Sequence, residues 1–557
     1  MVWNKQISLI LSLTFIHYAN ISLAAKSSAV KYIIYFNDNK VSEYNCYEPE
    51  SFLSQQSILR RKKQDILIDE TDLPLSKSYL YAFQNMNVKI LGISKWLNAV
   101  AIEISDRKDI EKYLWSLPYV SNVTYAGGRE YKTANVSNNL KTMQIAHGDI
   151  QDTLIEKMLG ASTPQILQCN ALELHKNGYR GNGINIAVLD GGFLGVDSMT
   201  CFDYLRSSGK IIDTWDFVNK EKNVFKASEH GTQVLSVLAA NLPEYYVGTA
   251  PDANYWLLKT ENTVVEELIE EFYFVMALEY ADSAGVDIVN ASIGYNYYDD
   301  INTSHTWDEL EGEKVMASRA VNIASQKGMM VVVSAGNDGN GKWKYISFPA
   351  DASGALTIGA VDINNKVAKF SSKGFIKNNY IKPNLSALGY KIPILNLQEQ
   401  IIDGFGTSFS TPVISGLMAC LWQAFYEAKA EDLVSYVQQS ASSYLSPNAR
   451  IGYGVPNFKI AYDLLNESII NYAKSEKIKM IWNDDDQSMS LLFDKKYKQI
   501  LVKIYNDKSE VITQFSYSAS SAKYIHIADS TFSVLKKGIY FININADNKN
   551  FYYKLVL

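Results

Sequence analysis

Three segments of the sequence, residues 184–189, 287–289 and 329–333, carry apolar residues on both faces rather than on alternate positions. A strand written this way has no solvent side, so it must lie between two layers. That is the situation of parallel strands covered by helices on both faces. Helical patterns alternate with these runs at residues 166–176, 232–240, 264–281 and 315–327. The alternation predicts a doubly wound parallel α/β sheet spanning residues 160–465.

A chain of 557 residues exceeds what one core holds, since single cores stop growing near about 250–300 residues. The flanks differ in pattern. Residues 25–130 read as a small α+β domain: a strand at 31–36, a helix at 51–65, a strand pair at 87–105, a helix at 109–117 and a strand at 120–125. Residues 131–159 are read as a linker, since 131–152 are polar without an apolar period. After about residue 466 the helical patterns stop. Residues 478–557 offer alternating segments at 499–505, 524–527, 538–544 and 551–557, broken by turn residues, and predict a β-sandwich.

Residues 1–24 have the order of a secretory signal peptide. Lys5 supplies the positive start, residues 7–16 the apolar run, and Ser22-Leu23-Ala24 the small-residue cleavage site. The apolar stretch is shorter than the roughly 20 residues a membrane span needs. A net charge of −6 offers nothing for a nucleic-acid backbone. The four cysteines, Cys46, Cys169, Cys201 and Cys420, lack metal-ligand spacing. Cys169 with Cys201 as a disulfide, or all four as small buried hydrophobes, are both open.

Polar residues close the buried strands, where open α/β sheets place their sites. Asp190 follows Ile186-Ala187-Val188-Leu189, and a carboxylate there needs a hydrogen-bonded or cationic partner. Asn337, in Ser334-Ala335-Gly336-Asn337-Asp338-Gly339, offers a side-chain amide to a developing oxyanion. His230, in Glu229-His230-Gly231-Thr232, opens an apolar helix. Ser408, in Gly406-Thr407-Ser408-Phe409-Ser410-Thr411-Pro412, precedes a helix expected over residues 412–428, whose N-terminus favours negative charge. Each has a plainer reading alone: Asp190 and Asn337 as turn formers, His230 as a structural histidine, Ser408 as a helix cap.

Taken in order, Asp190, His230, Asn337 and Ser408 resemble the subtilase family of serine peptidases. Val188-Leu189-Asp190, His230-Gly231-Thr232, Ser292-Ile293-Gly294, Ala335-Gly336-Asn337 and Gly406-Thr407-Ser408 stand as its boxes, with Phe370–Gly374 and Lys382-Pro383-Asn384 as further landmarks. Gly191, Gln233 and Ser410 depart from the usual residues without touching a catalytic atom. The resemblance implies a catalytic triad of Asp190, His230 and Ser408, an oxyanion donor in Asn337, and a peptide-binding edge in Ser292, Ile293 and Gly294 with Ser334, Ala335 and Gly336 opposite. It implies a protein or peptide substrate and chemistry without a cofactor; structural calcium fits the resemblance, with no residues marking a site. An esterase of the Gly-x-Ser-x-Gly type is not indicated, since Ser408 lacks that elbow. A non-catalytic binding protein of the same fold would be expected to have lost at least one of the four groups, and all four are present.

By the same resemblance residues 25–130 are an inhibitory propeptide, the chain's own intramolecular partner. Within it, Arg60-Arg61-Lys62-Lys63 reads either as a processing site or as a solvated helix face. The final segment, Lys536-Lys537-Gly538-Ile539-Tyr540-Phe541 with the closing Lys554-Leu555-Val556, resembles the sorting domain of the type IX secretion system. That resemblance implies outer-membrane secretion machinery as a partner and an extracellular or cell-surface location.

Overall fold

The structure, a computed structural model, describes residues 29–37, 42–84, 86, 88–105, 110–128, 154–377, 380–475, 478–483, 488–493, 498–506, 510–517, 524–527, 532, 535, 538–547 and 549–557. The expected signal segment lies outside these residues, as does most of the expected linker. The end of that linker, Leu154–Leu159, is helical.

The amino-terminal domain is a four-stranded antiparallel sheet of β1 (Val30–Phe36), β2 (Val88–Ser94), β3 (Ala99–Ile104) and β4 (Val120–Gly127), ordered β2-β3-β1-β4. Three helices accompany it: α1 (Gln55–Lys63), α2 (Lys77–Gln84) and α3 (Ile110–Ser116). The strand alternation sorts its side chains by face. Tyr32, Ile34, Val100 and Ile102 meet Tyr79, Phe83 and Leu114 on α2 and α3. Ile33, Ala99 and Ala101 point the other way and join the core of the following domain. The sequence pattern gave one helix between the first two strands, whereas the structure has two. Only α2 covers the sheet; α1 belongs to a separate arm.

The larger domain holds seven parallel strands: β5 (Asn185–Asp190), β6 (Ile211–Asp216), β7 (Asn254–Lys259), β8 (Ile288–Ala291), β9 (Met330–Ser334), β10 (Ala355–Val361) and β11 (Leu385–Leu388). Their order is β11-β10-β9-β8-β5-β7-β6. β8 and β9 are buried throughout, as their two-sided apolar pattern requires. β6 is half exposed at the edge, which is why its pattern is weak. The helices that position the site are α4 (His230–Ala239), α5 (Ile269–Ala284), α6 (Met316–Gln326) and α7 (Thr407–Ala424).

Two helix expectations change. The helix expected over 166–176 is two short ones, Thr163–Gln168 and Leu172–Lys176, because Asn170 between them takes a left-handed φ of 48°. The helix expected from Pro412 begins at Thr407, so Pro412 lies inside it. Proline has no N–H for the carbonyl four residues earlier, here that of Ser408. That carbonyl instead accepts the Ser292 hydroxyl at 2.8 Å.

Residues Phe458–Leu557 form a second compact unit. It opens with a helix, Phe458–Ser475, which runs beyond the expected limit near residue 466. Two small antiparallel sheets follow, one of three strands and one of four. Met489, Leu491, Val502, Ile504, Ile542 and Ile544 fill one core between them. All four cysteines are free, so the Cys169–Cys201 disulfide does not form. Among the described residues no helix is long and apolar enough to cross a membrane.

Candidate active site

Asp190 is the last residue of β5 and is buried. Its Oδ1 accepts the Gly191 N–H at 2.8 Å. Its neighbour across the sheet, Lys259, is paired instead with Asp216 at 3.2 Å, so that lysine does not compete for Asp190. His230 opens α4, and its Nδ1 lies 3.0 Å from both carboxylate oxygens of Asp190. The pairing puts the ring proton on Nδ1 and leaves Nε2 as an acceptor. Gly231 makes the approach feasible: a Cβ there would lie 2.3 Å from the Gly192 carbonyl and 2.9 Å from Asp190 Cβ. Burial pushes the His230 pKa down, but the Asp190 charge and hydrogen bond outweigh it and leave the pKa raised. The His230 side chain keeps 38% of its surface, against 1% for Asp190.

Ser408 is the second residue of α7, where the first backbone N–H groups have no intrahelical partner. Its hydroxyl donates to the Ser292 carbonyl at 3.2 Å rather than to His230. The next residue, Phe409, places its ring 5.9 Å from the His230 imidazole, so the start of α7 lies against the histidine. Asn337 sits in the loop after β9. Its Oδ1 accepts the Thr407 N–H at 2.9 Å and the Thr407 hydroxyl at 3.2 Å, which turns the amide nitrogen outward as a donor.

The peptide-binding segments predicted from sequence leave the sheet side by side. Ser292 follows β8; Ser334 ends β9 and donates to the Ile293 carbonyl at 3.4 Å. Gly294 and Gly336 both face Ser347, where added Cβ atoms would come within 2.8 and 2.5 Å of that side chain. Ala335 is fixed by backbone bonds to Ile358 and Ser347. The Phe370–Gly374 landmark supports the loop that carries Asn337, for the Ser372 hydroxyl accepts the Asp338 N–H and its backbone N–H reaches the Gly336 carbonyl.

One buried chain escaped the sequence reading. Ser415 on α7 donates to Asn290 Oδ1 at 2.8 Å, Asn290 donates to the Ser292 hydroxyl at 3.1 Å, and that hydroxyl holds the Ser408 carbonyl. Asn290 was legible as the lone polar residue in an apolar strand. Ser410, the departure from the usual small residue, is absorbed by its own helix through the Thr407 carbonyl. Among the described residues no group of three or more histidine, cysteine or carboxylate side chains is arranged to hold a metal.

Comparison with known families places the subtilase family model on residues 181–454 and the Bacteroidota peptidase S8 propeptide model on residues 31–143. The chain carries a subtilase domain. The chain is 27% identical to subtilisin E of Bacillus subtilis (strain 168) over 307 residues, 53% of this chain and 70% of that protein. Against subtilisin J of Geobacillus stearothermophilus the figures are 23% over 416 residues, 70% and 96%. Among solved structures, MycP1 with its N-terminal propeptide removed aligns at a TM-score of 0.43 and 20% identity, covering 54% of this chain and 96% of that one. The protein is a subtilisin-like serine endopeptidase, and the propeptide domain ahead of the subtilase domain makes it a zymogen.

Proposed function

We propose that this subtilase cleaves peptide bonds through Asp190, His230 and Ser408, with Asn337 as oxyanion donor. The observation that carries the reading is the Asp190–His230 pair, with Nδ1 at 3.0 Å from both carboxylate oxygens. When substrate binds, the Ser408 hydroxyl turns from the Ser292 carbonyl toward Nε2, gives up its proton there and attacks the scissile carbonyl. His230 then delivers that proton to the leaving amine, and water repeats the sequence on the acyl-enzyme. Asp190 holds the ring tautomer and stabilises the imidazolium. The Asn337 amide and the Ser408 N–H receive the oxyanion at the positive end of α7. Substrate adds as a strand to Ser292–Gly294, with Ser334–Gly336 on its other side. The chemistry draws on these side chains and water, without a cofactor.

The amino-terminal domain is the inhibitor of this site until the chain is cut. Residues 1–24 direct export, and residues 478–557 deliver the enzyme to the outer-membrane type IX machinery. The paired antiparallel sheets and the strand that begins at Ile539 directly after Gly538 support that last assignment. Hydrolysis of a peptide library by the processed chain tests the first claim. Ser408→Ala should abolish cleavage, and unchanged cleavage would sink it. Deleting residues 478–557 tests the address: product should accumulate inside the cell envelope, and unimpeded release would refute it.

A further inference from the structure

The basic run on α1 is split: Lys62 is exposed and Lys63 half-buried, while the two arginines are turned inward. Arg60 and Arg61 are 4% and 1% exposed. They reach the peptidase domain at the ends of two of its helices. Arg60 donates from Nε to the Lys327 carbonyl at 3.2 Å, from Nη1 to the Val286 carbonyl, and from Nη2 to Asp282 Oδ1 at 2.5 Å. Arg61 Nη2 bridges Asp282 Oδ2 at 2.8 Å and Asp72 Oδ1 at 2.6 Å. Gln64 donates to the Gly328 carbonyl at 2.7 Å. In return Lys327 reaches Asp72 and Asp69 on the arm, at 3.1 and 3.0 Å.

The chemistry of the place suits a guanidinium. Helix carboxyl ends present unpaired carbonyls and the negative end of the dipole. Here α5 and α6 end together, and Asp282 adds a full charge between them. Burial alone would raise the Asp282 pKa, but Arg60, Arg61 and Lys95 hold it below the ordinary carboxylate value. Gly285 ends α5 with φ 88°, and a Cβ on it would lie 2.4 Å from Gln56. A side chain at this left-handed position would also block α1. The site is remote from the chemistry: it lies where β8 and β9 begin, and Ser292 and Ser334 lie where they end.

We propose that the ends of α5 and α6, with Asp282 between them, form a guanidinium-binding lock. Its occupant in the zymogen is the Arg60–Arg61 pair. The lock keeps the severed propeptide on the enzyme after the chain between the two domains is cut, so escape of the arm sets the pace of activation. This rests on the reading of the amino-terminal domain as an inhibitory propeptide.

The test uses the full chain, allowed to process, with propeptide retention followed by size-exclusion chromatography and peptidase activity by peptide hydrolysis. Replacing both arginines (Arg60→Met with Arg61→Met) should speed propeptide release roughly 30-fold or more. Equal release from the cut wild-type chain and the cut variant overturns the lock. A cut complex that is fully active with its propeptide still bound would instead overturn the inhibitory reading, leaving the release comparison intact. Should the variant fail to fold or the chain stay uncut, trypsin on the uncut Ser408→Ala chain decides. Protection of Arg60 and Arg61 supports the lock, and cleavage there with β1 to β4 still intact overturns it.

Discussion

At their carboxyl ends β5, β8 and β9 deliver Asp190, Ser292 and the loop from Ser334 to Asn337. At the amino ends of β8 and β9 the same sheet meets α1 of the propeptide through Asp282, Val286, Lys327 and Gly328. The first end is left with unspent capacity: a partly exposed imidazole, an outward amide and a hydroxyl parked on a carbonyl. The second is close to saturated: both guanidinium groups and Asp282 are buried among partners, and Arg61 Nε is the one guanidinium nitrogen there without a hydrogen bond. Capacity to accept a developing charge marks a site that turns over. Saturation marks a contact that holds, because a buried charge stripped of its partner is far costlier than one left at the surface.

The largest effect separating the two ends should come from Asp190→Asn. It leaves the lock untouched and should lower kcat by about 10⁴-fold, the magnitude known for this substitution in a serine-protease triad. The pH profile supplies a second readout. A base must be neutral to act, and the His230 pKa is raised above its ordinary value of 6.5. Wild-type kcat/KM should therefore climb through a pKa above that value, and Asp190→Asn should move this acid limb to lower pH. An unmoved limb would mean that Asp190 does not set the histidine.

Next in size, Asp282→Asn leaves two arginines buried without their shared counter-charge. It should destabilise the uncut chain by about 3–5 kcal/mol, read as a lower denaturant midpoint. Asn337→Ala should cost about 10²–10³ in kcat with KM nearly unchanged, the magnitude known for subtilisin. A loss confined to KM would move Asn337 from the oxyanion to substrate binding. Ser292→Ala is the smallest. It removes the hydroxyl that serves the Ser408 carbonyl in place of a Pro412 N–H, and should cost about 1–3 kcal/mol of stability.

The candidate catalytic end was legible because its boxes are short and contiguous. Asp190, His230, Asn337 and Ser408 each sit in a run of glycines and small residues at a strand or helix end, and strands apolar on both faces announced the sheet. The lock was not legible. Arg60 and Asp282 are 222 residues apart, and Arg-Arg-Lys-Lys in sequence looks like any charged face. Only the coincidence of two helix ends turns half of it inward. Edge strand β6, being half exposed, lacked the apolar signal that betrayed β8 and β9. The start of α7 was misplaced for a local reason, since a proline usually marks a first turn. Here Ser292, more than a hundred residues away, supplies the missing hydrogen bond.

Covalent capture of the nucleophile by a fluorophosphonate, followed by peptide mapping of the processed chain, tests the assignment of the catalytic end most directly. The label should fall on Ser408, vanish in Ser408→Ala and drop sharply in His230→Ala. Undiminished labelling of Ser408→Ala, or a label mapped to another residue of the wild-type chain, would contradict it.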